Sequence, residues 1–205
     1  MLKNRIVVLT LISLLLCSWG ASAQSSPRGF MKQVYSQPGV AASFTPGCLG
    51  QKYPAYSDRT GWAKLLGKEQ AEDMIATGEG YLDYTWQYIP ASSYLEFNKS
   101  GNRVIMETPY RENREALALL LYAELAEGKG RFIPKIADGM YHFAFMPAWI
   151  IAAHIVRQPT GSPLPSGDYH FIDLFDGEAC SVMSWCLYFL EKEVEEQEIA
   201  KHWSV

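Results

Sequence analysis

Cysteine and histidine are both scarce in this chain of 205 residues. The four cysteines are Cys17, Cys48, Cys180 and Cys186, and no two of them have the spacing of a zinc-ligand pair. The sequence also lacks a glycine-rich phosphate loop and any arrangement typical of a Ser/His/Asp triad. We therefore expect neither a metal ion nor a cofactor.

Positive charge is limited as well. Lys and Arg number 18 against 22 Asp and Glu, which gives a formal net charge of -4, and the basic residues form no run. Proteins that bind nucleic acid normally present a strongly basic surface. We therefore expect no nucleic-acid partner.

The most continuous apolar run lies at the N-terminus. Lys3 and Arg5 precede it, residues 6–16 form it, and the small residues that end at Ala23 fit a cleavage site. The run is too short to span the roughly 30 Å of hydrocarbon in a bilayer. We predict a signal peptide over 1–23 that is cleaved after Ala23. The protein is then expected to be periplasmic or secreted, with no permanent membrane span.

Signal cleavage would remove Cys17 and leave an odd number of cysteines. At most one disulfide can then form, and Cys180 and Cys186 are predicted to lie on different faces of a helix. Buried free thiols are the favoured interpretation. The sequence leaves the pairing of Cys48, Cys180 and Cys186 open.

Helical periodicity begins near residue 57. Residues 24–56 are rich in turn-forming pairs, and we predict an irregular leader there. Apolar residues then recur at spacings of three and four, which predicts a long helix over 71–86 and a helix over 111–127 that has almost no polar face through its middle. Residues 91–97, after Pro90, are predicted to be an extended loop.

Glycine and aspartate mark two further helix boundaries. Gly128 is predicted to end the apolar helix, and the apolar residues from Phe132 onward predict a second helix packed back against it as a hairpin. Asp173 or Asp176 can cap the last helix. No segment alternates as a β-strand does. We therefore predict one all-α domain over 57–205, built of antiparallel helical hairpins.

Several short segments between residues 57 and 190 are notable for their order and separation. They are Ser57-Asp58-Arg59 with Trp62, residues 93–97 followed by Gly101-Asn102-Arg103, residues 124–132 with Gly139, Trp149 with His154, and residues 172–175 followed by Glu178-Ala179. Together they resemble the N-terminal helical region of heparinase II/III-like polysaccharide lyases.

The resemblance implies an incomplete (α/α) toroid, in which helical hairpins line a groove for an anionic polysaccharide such as heparan sulfate or alginate. The implied activity is β-elimination on uronic-acid polymers. Such lyases are longer, and their catalytic residues lie after the matched part, so the resemblance supplies no catalytic residue in this chain. We expect the N-terminal toroid portion of an exported lyase, either a natural truncation or a fragment, that is inactive in isolation.

Three residues are candidates for substrate contact. Trp149 can stack on a sugar ring, although its apolar neighbours also fit a core position. Arg103 follows a glycine turn and can pair with a carboxylate or sulfate. His154 begins a long loop and matches a family position, although a structural role in orienting the loop is favoured. His142, beside Phe143, is predicted to be a packed core histidine.

Two alternative functions stay open. The length and aromatic content fit a non-catalytic exported helical module that binds carbohydrate or another protein. A short helical glycoside hydrolase would need two carboxylates facing one cleft, for which Glu124 and Asp173 are the candidates. A structural role is also expected for each, because Glu124 can pair with Arg114 or Arg131 and Asp173 begins a helix.

Overall fold

A computed structural model describes residues 36, 37, 39, 53–158, 160–166 and 172–196. The chain divides into two units, residues 1–50 and 51–205, and the helices described below belong to the second. Several predictions fall outside the described residues. They are the signal peptide with its cleavage after Ala23, most of the predicted leader, Cys17, Cys48, His170 and His202.

All regular secondary structure among the described residues is helical, which confirms the all-α class for this part of the chain. Its elements are α1 (Arg59–Leu66), α2 (Lys68–Glu79), α3 (Ala91–Ser100), α4 (Val104–Glu127), α5 (Ile133–Ala144), a 3-10 helix (Ala152–Arg157) and α6 (Leu174–Glu196).

Helix α4 is the centre of this unit and contacts α1, α2, α3, α5 and α6. Its middle residues are completely buried, as the apolar pattern predicts, and include Ala116, Leu117 and Leu120. The helix begins at Val104, earlier than the predicted residue 111, and continues through Pro109. Proline removes one helical hydrogen bond. Here the complete burial of Met106 and Tyr110 on either side stabilises the first turns despite that loss.

Residues 91–97 form part of α3, so the predicted extended loop is wrong. Pro90 precedes the helix in an extended conformation, and Gly101 ends it with a positive φ of 75°. The helix is held by tertiary contacts: Tyr94 is buried, and its hydroxyl donates to the carbonyl oxygen of Ile150 at 3.3 Å. Helix α3 accordingly contacts the 3-10 helix.

The predicted helix over 71–86 is also too long, since α2 ends at Glu79. Gly78, near this end, allows the closest approach of α2 to α4, because a Cβ there would overlap the side chain of Ala123. The chain then turns and runs without regular structure through residues 84–90. This irregular segment, instead of a helix, forms one wall of the cleft described below.

The predicted boundaries at Gly128 and Asp173 are confirmed. Gly128 ends α4 with a φ of 66°, and α5 packs against α4. At the start of α6, Asp173 Oδ1 accepts from the backbone N–H of Phe175 at 2.8 Å. Asp176 Oδ2 accepts in return from the N–H of Asp173 at 3.0 Å. This reciprocal arrangement satisfies two backbone donors at the helix N-terminus.

Cys180 and Cys186 are free thiols that do not bridge to each other, as predicted. Cys186 is buried, as predicted, but Cys180 is exposed, so the prediction of a buried thiol is wrong there. Burial raises the pKa of the Cys186 thiol to about 12. No helix in the described part of the chain combines the length and the apolarity that a membrane crossing requires.

Candidate functional site

Trp149 and Arg103, two of the predicted substrate-binding residues, both have structural partners. Trp149 is half-buried against the core, and its indole N–H donates to the carbonyl oxygen of Phe143 at 2.7 Å. Arg103 pairs with Glu107 one turn further along α4, and Glu107 also accepts from Arg111 at 3.3 Å. Arg103 is therefore held in an ion pair along its own helix, with Glu107 shared between two guanidinium groups.

His154, the third predicted residue, is held by Asp173. The imidazole Nδ1 hydrogen-bonds to Asp173 Oδ2, and the ring of Phe175 lies edge-on with a centroid distance of 6.2 Å. The His154 side chain is 28% exposed, whereas that of Asp173 is 4% exposed. A carboxylate bonded to Nδ1 fixes the imidazole orientation and leaves Nε2 as the group that can exchange a proton. His154 and Asp173 were predicted independently of each other as candidate functional residues, and in the structure their side chains are bonded.

Glu124 does not face a cleft. It is completely buried and accepts from the Tyr56 hydroxyl at 2.6 Å, the Gly130 N–H at 2.7 Å and the Phe132 N–H at 3.1 Å. The predicted partners are wrong: Arg114 pairs with Glu178, and Arg131 pairs with Glu127 and Glu79. These hydrogen bonds hold the connection between α4 and α5 against the end of α4. The buried Glu124 carboxylate is therefore not available as a glycosidase acid or base.

An open cleft of about 440 Å³ lies between the irregular segment 84–90 and helix α5. Aromatic rings dominate its walls, and several of them are exposed to solvent: Tyr88 by 81%, Phe145 by 63% and Tyr141 by 48%. Its volume is within the usual range of small-molecule sites. The lining includes Trp86, Tyr88, Tyr94, Tyr141 and Phe145 with the polar side chains of Asp138 and His142.

Helix α5 supplies one wall of the cleft through a single face. Asp138, Tyr141, His142 and Phe145 follow one another at helical spacing, so their side chains project on the same side. The rings of Tyr141 and Phe145 are tilted by 34° with centroids 4.4 Å apart. The opposite face of the helix, which includes the fully buried Ile136, packs into the core and fixes the orientation of this wall.

The second wall is anchored directly on α5. The Trp86 ring packs against Gly139, where a Cβ would overlap it, and is stacked on the imidazole of His142 at a centroid distance of 6.1 Å. Tyr84 meets Trp86 edge-on at 5.3 Å. The absence of a side chain at Gly139 is therefore what lets the two walls meet at the bottom of the cleft.

A buried amide holds the polar side of the cleft. Asn113 of α4 is completely buried and hydrogen-bonds to the backbone N–H and carbonyl of Gln87, both at 2.9 Å. The same amide contacts the Tyr84 hydroxyl at 2.9 Å and His142 Nε2 at 3.0 Å. Burial lowers the pKa of His142 and raises that of Tyr84. The network fixes both walls against α4.

The prediction for His142 is wrong. This residue was predicted to be a packed core histidine, but it is half-buried and lines the cleft. The signal was present in the spacing of Asp138, Tyr141, His142 and Phe145, which places a polar and aromatic face opposite an apolar one. None of the three predicted residues, Trp149, His154 and Arg103, belongs to the described lining of the cleft.

A second set of aromatic rings lies on α6 and around Tyr53. Trp185 is stacked on Phe189 with centroids 5.5 Å apart, and Tyr188 and Tyr53 meet Phe189 edge-on at 4.9 Å and 5.9 Å. These rings pack on one another, and Tyr188 and Trp185 are also exposed to solvent, by 60% and 41%.

The chain matches no protein-family model and no curated protein. Among the described residues, no group of three or more His, Cys, Asp and Glu side chains is placed to hold a metal ion.

Proposed function

We propose that this chain binds carbohydrate through the aromatic cleft, as a helical module that is not itself catalytic. The observation that carries the proposal is the pair of walls lined by exposed rings, with Asp138 and His142 beside them. Aromatic faces pack against the apolar C–H faces of sugars, whereas a few placed polar groups bond the hydroxyls and fix orientation. Tyr88 and Phe145 offer the most exposed ring surface.

A contribution to polysaccharide lysis is the second candidate, favoured by the pairing of His154 with Asp173. Elimination on a uronic-acid polymer needs a base for the proton beside the carboxylate. His154 is oriented through Nδ1, and its Nε2 has no partner among the described residues. We infer this role from the resemblance to heparinase II/III-like lyases. With it go the incomplete (α/α) toroid, export to the periplasm or medium, and an anionic polysaccharide substrate.

Exposed apolar side chains around this pair support the toroid part of the inference. Val156 is 74% exposed, Ile172 89% and Leu174 76%, and in sequence all three lie within two residues of His154 or Asp173. Exposed apolar side chains that form one patch commonly mark a surface that packs against further protein. In a toroid, the next helical hairpin would cover them.

The cleft is tested by replacing one exposed ring and a matched ring elsewhere. Tyr141 and Tyr122 are exposed by 48% and 47%, but Tyr122 is not among the described lining residues. We expect Tyr141→Ala to weaken oligosaccharide binding about fivefold in calorimetric titration, since a stacked ring contributes roughly 1 kcal/mol. Tyr122→Ala should leave affinity unchanged. Equal effects of both substitutions, or no binding of any saccharide by the wild type, would contradict the proposal.

The α6 rings provide a rival location for the same activity. If Trp185→Ala abolishes saccharide binding while Tyr141→Ala leaves it intact, the site lies on α6 and not in the cleft.

Catalysis is measured separately as the ultraviolet absorbance of unsaturated uronides released from heparan sulfate or alginate. We expect none from the purified chain. Product formation that is lost in His154→Ala would instead favour the second candidate.

A further inference from the structure

The hydrogen bonds of Asn113 fix which way its side-chain amide points. The backbone N–H of Gln87 can only donate and the carbonyl of Gln87 can only accept, so the first must face Oδ1 and the second Nδ2. The Tyr84 hydroxyl donates to the same Oδ1 at 2.9 Å. Turning the amide over would place its NH2 group against the N–H of Gln87 and its oxygen against the carbonyl of Gln87. Both contacts would be unfavourable, so the observed orientation is the stable one.

This orientation determines the protonation of His142. The second N–H of Asn113 Nδ2 points at His142 Nε2, 3.0 Å away, so Nε2 must accept and cannot carry a proton. The imidazole is therefore neutral, with its proton on Nδ1. Burial acts in the same direction, because it lowers the pKa of His142. Nδ1–H has no acceptor among the described residues, and His142 is one of the residues that line the cleft.

The charge of the cleft is the second independent observation. Among its described lining residues, Asp138 is the one formally charged side chain, and neither Lys nor Arg lines it. A sugar carboxylate or sulfate entering the cleft would lose part of its hydration next to a like charge, with no cation to compensate. A sugar hydroxyl, in contrast, can donate to the Asp138 carboxylate and accept from His142.

We propose that the cleft takes an uncharged sugar residue, held between its aromatic rings, to which neutral His142 donates Nδ1–H and Asp138 offers an acceptor. The inference rests on the proposed carbohydrate binding and specifies its substrate class. It is compatible with lysis of a uronic-acid polymer if that polymer also contains uncharged residues, one of which occupies the cleft.

The tautomer is tested first, without any ligand. Long-range ¹H–¹⁵N NMR of the imidazoles in the full chain distinguishes nitrogen-bound protons, and His142→Gln identifies the signal of His142 by its loss. At neutral pH we expect a neutral ring protonated on Nδ1. A ring protonated on Nε2, or on both nitrogens, overturns the inference.

The preference is tested with two ligands that differ only in charge, hexagalacturonate and its fully methyl-esterified form. We expect the ester to bind about fivefold more tightly at low salt, because a like charge near 4 Å disfavours the acid by about that factor in water. Asp138→Asn should remove most of the difference. Equal or tighter binding of the acid by the wild type overturns the inference and leaves the proposed function intact. If neither form binds, hexamers of glucose, N-acetylglucosamine and glucuronic acid decide in the same way.

The donor itself is tested by two substitutions of His142. Phenylalanine keeps a ring but has no N–H, and we expect His142→Phe to weaken binding of the neutral ligand about fivefold, the effect of one lost hydrogen bond. Glutamine can accept from Asn113 and still donate into the cleft, so His142→Gln should retain more of the affinity. If His142→Phe binds the neutral ligand as well as the wild type, the histidine is not the donor and this part of the inference fails.

Discussion

Two buried polar clusters are centred on side chains from different turns of α4, Glu124 and Asn113. They differ in whether every polar group of the cluster has a hydrogen-bond partner within the described residues. Around Glu124, three donors from Tyr56, Gly130 and Phe132 enclose a carboxylate that is completely buried. Around Asn113, the chain of bonds ends at a histidine whose second nitrogen has no partner among the described residues.

The difference separates a structural device from a recognition site. A buried polar group whose bonds are all made within the protein stabilises the fold and offers nothing to a ligand. A network that ends in an unused donor beside an open cleft holds that donor in place for an incoming acceptor. The Glu124 cluster joins the segment before α1, through Tyr56, to the α4–α5 connection, whereas the Asn113 cluster fixes the two walls of the cleft.

The largest effect is expected at the closed cluster. Glu124→Ala leaves the buried Phe132 N–H, the partly buried Gly130 N–H and the Tyr56 hydroxyl without their acceptor, and we expect the free energy of unfolding to fall by about 4 kcal/mol. Glu124→Gln keeps one acceptor oxygen and should cost about half as much. Urea unfolding followed by circular dichroism measures both. A loss below about 1 kcal/mol for Glu124→Ala would show that the cluster is not structural.

A smaller effect is expected at the open cluster. Asn113→Ala removes the bonds to both backbone groups of Gln87 and should lower the free energy of unfolding by about 2–3 kcal/mol. It should also weaken saccharide binding, since the wall that carries Trp86 loses its anchor. The contrast with Glu124→Ala is the test: a variant at Glu124 that remains folded should bind sugar normally. If both variants lose affinity equally at matched stability, the two clusters do not differ in function.

The sequence predicted those parts of the fold that local signals control. Gly128 ends α4 because a glycine accepts the left-handed conformation, and Asp173 begins α6 because its carboxylate accepts a backbone N–H. Helix α3 escaped prediction because it is stabilised from a distance, by the contact of Tyr94 with Ile150. Its own periodicity is weak, and Pro90 gave a signal that suits a loop as well as a helix start.

The cleft could not be predicted from the sequence because it, too, is formed by contacts between distant parts of the chain. Its two walls, around residues 84–90 and in α5, are separated in the chain by the whole of α4 and meet through Asn113 and the missing side chain at Gly139. Neither feature has a local pattern. The polar face of α5 can be recognised from the spacing of its residues. His142 by itself fits a core position equally well, and its contacts with Asn113 and Trp86 are what place it at the cleft.

The smallest effect concerns the pH dependence of stability at the open cluster. Burial lowers the pKa of His142 below its ordinary 6.5 in the folded chain. Below that pH the unfolded chain takes up a proton on this residue before the folded chain does, so unfolding becomes easier as the pH falls. The lost stability returns as the pH rises through the ordinary value. Asp138, one helical turn away, faces the cleft, and Tyr84 has a raised pKa and does not titrate in this range.

Substitution isolates the contribution of His142 from those of the other titrating groups. In His142→Gln, the free energy of unfolding should fall less between pH 7 and pH 5 than it does in the wild type. Glu124→Gln should leave the histidine part of this slope unchanged, because the closed cluster contains no imidazole. The measurement is a series of urea unfolding curves at constant ionic strength. Parallel pH profiles of the wild type and His142→Gln would mean that the folded chain protonates His142 as readily as the unfolded one. In that case the Asn113 cluster holds the His142 imidazole without selecting its protonation state.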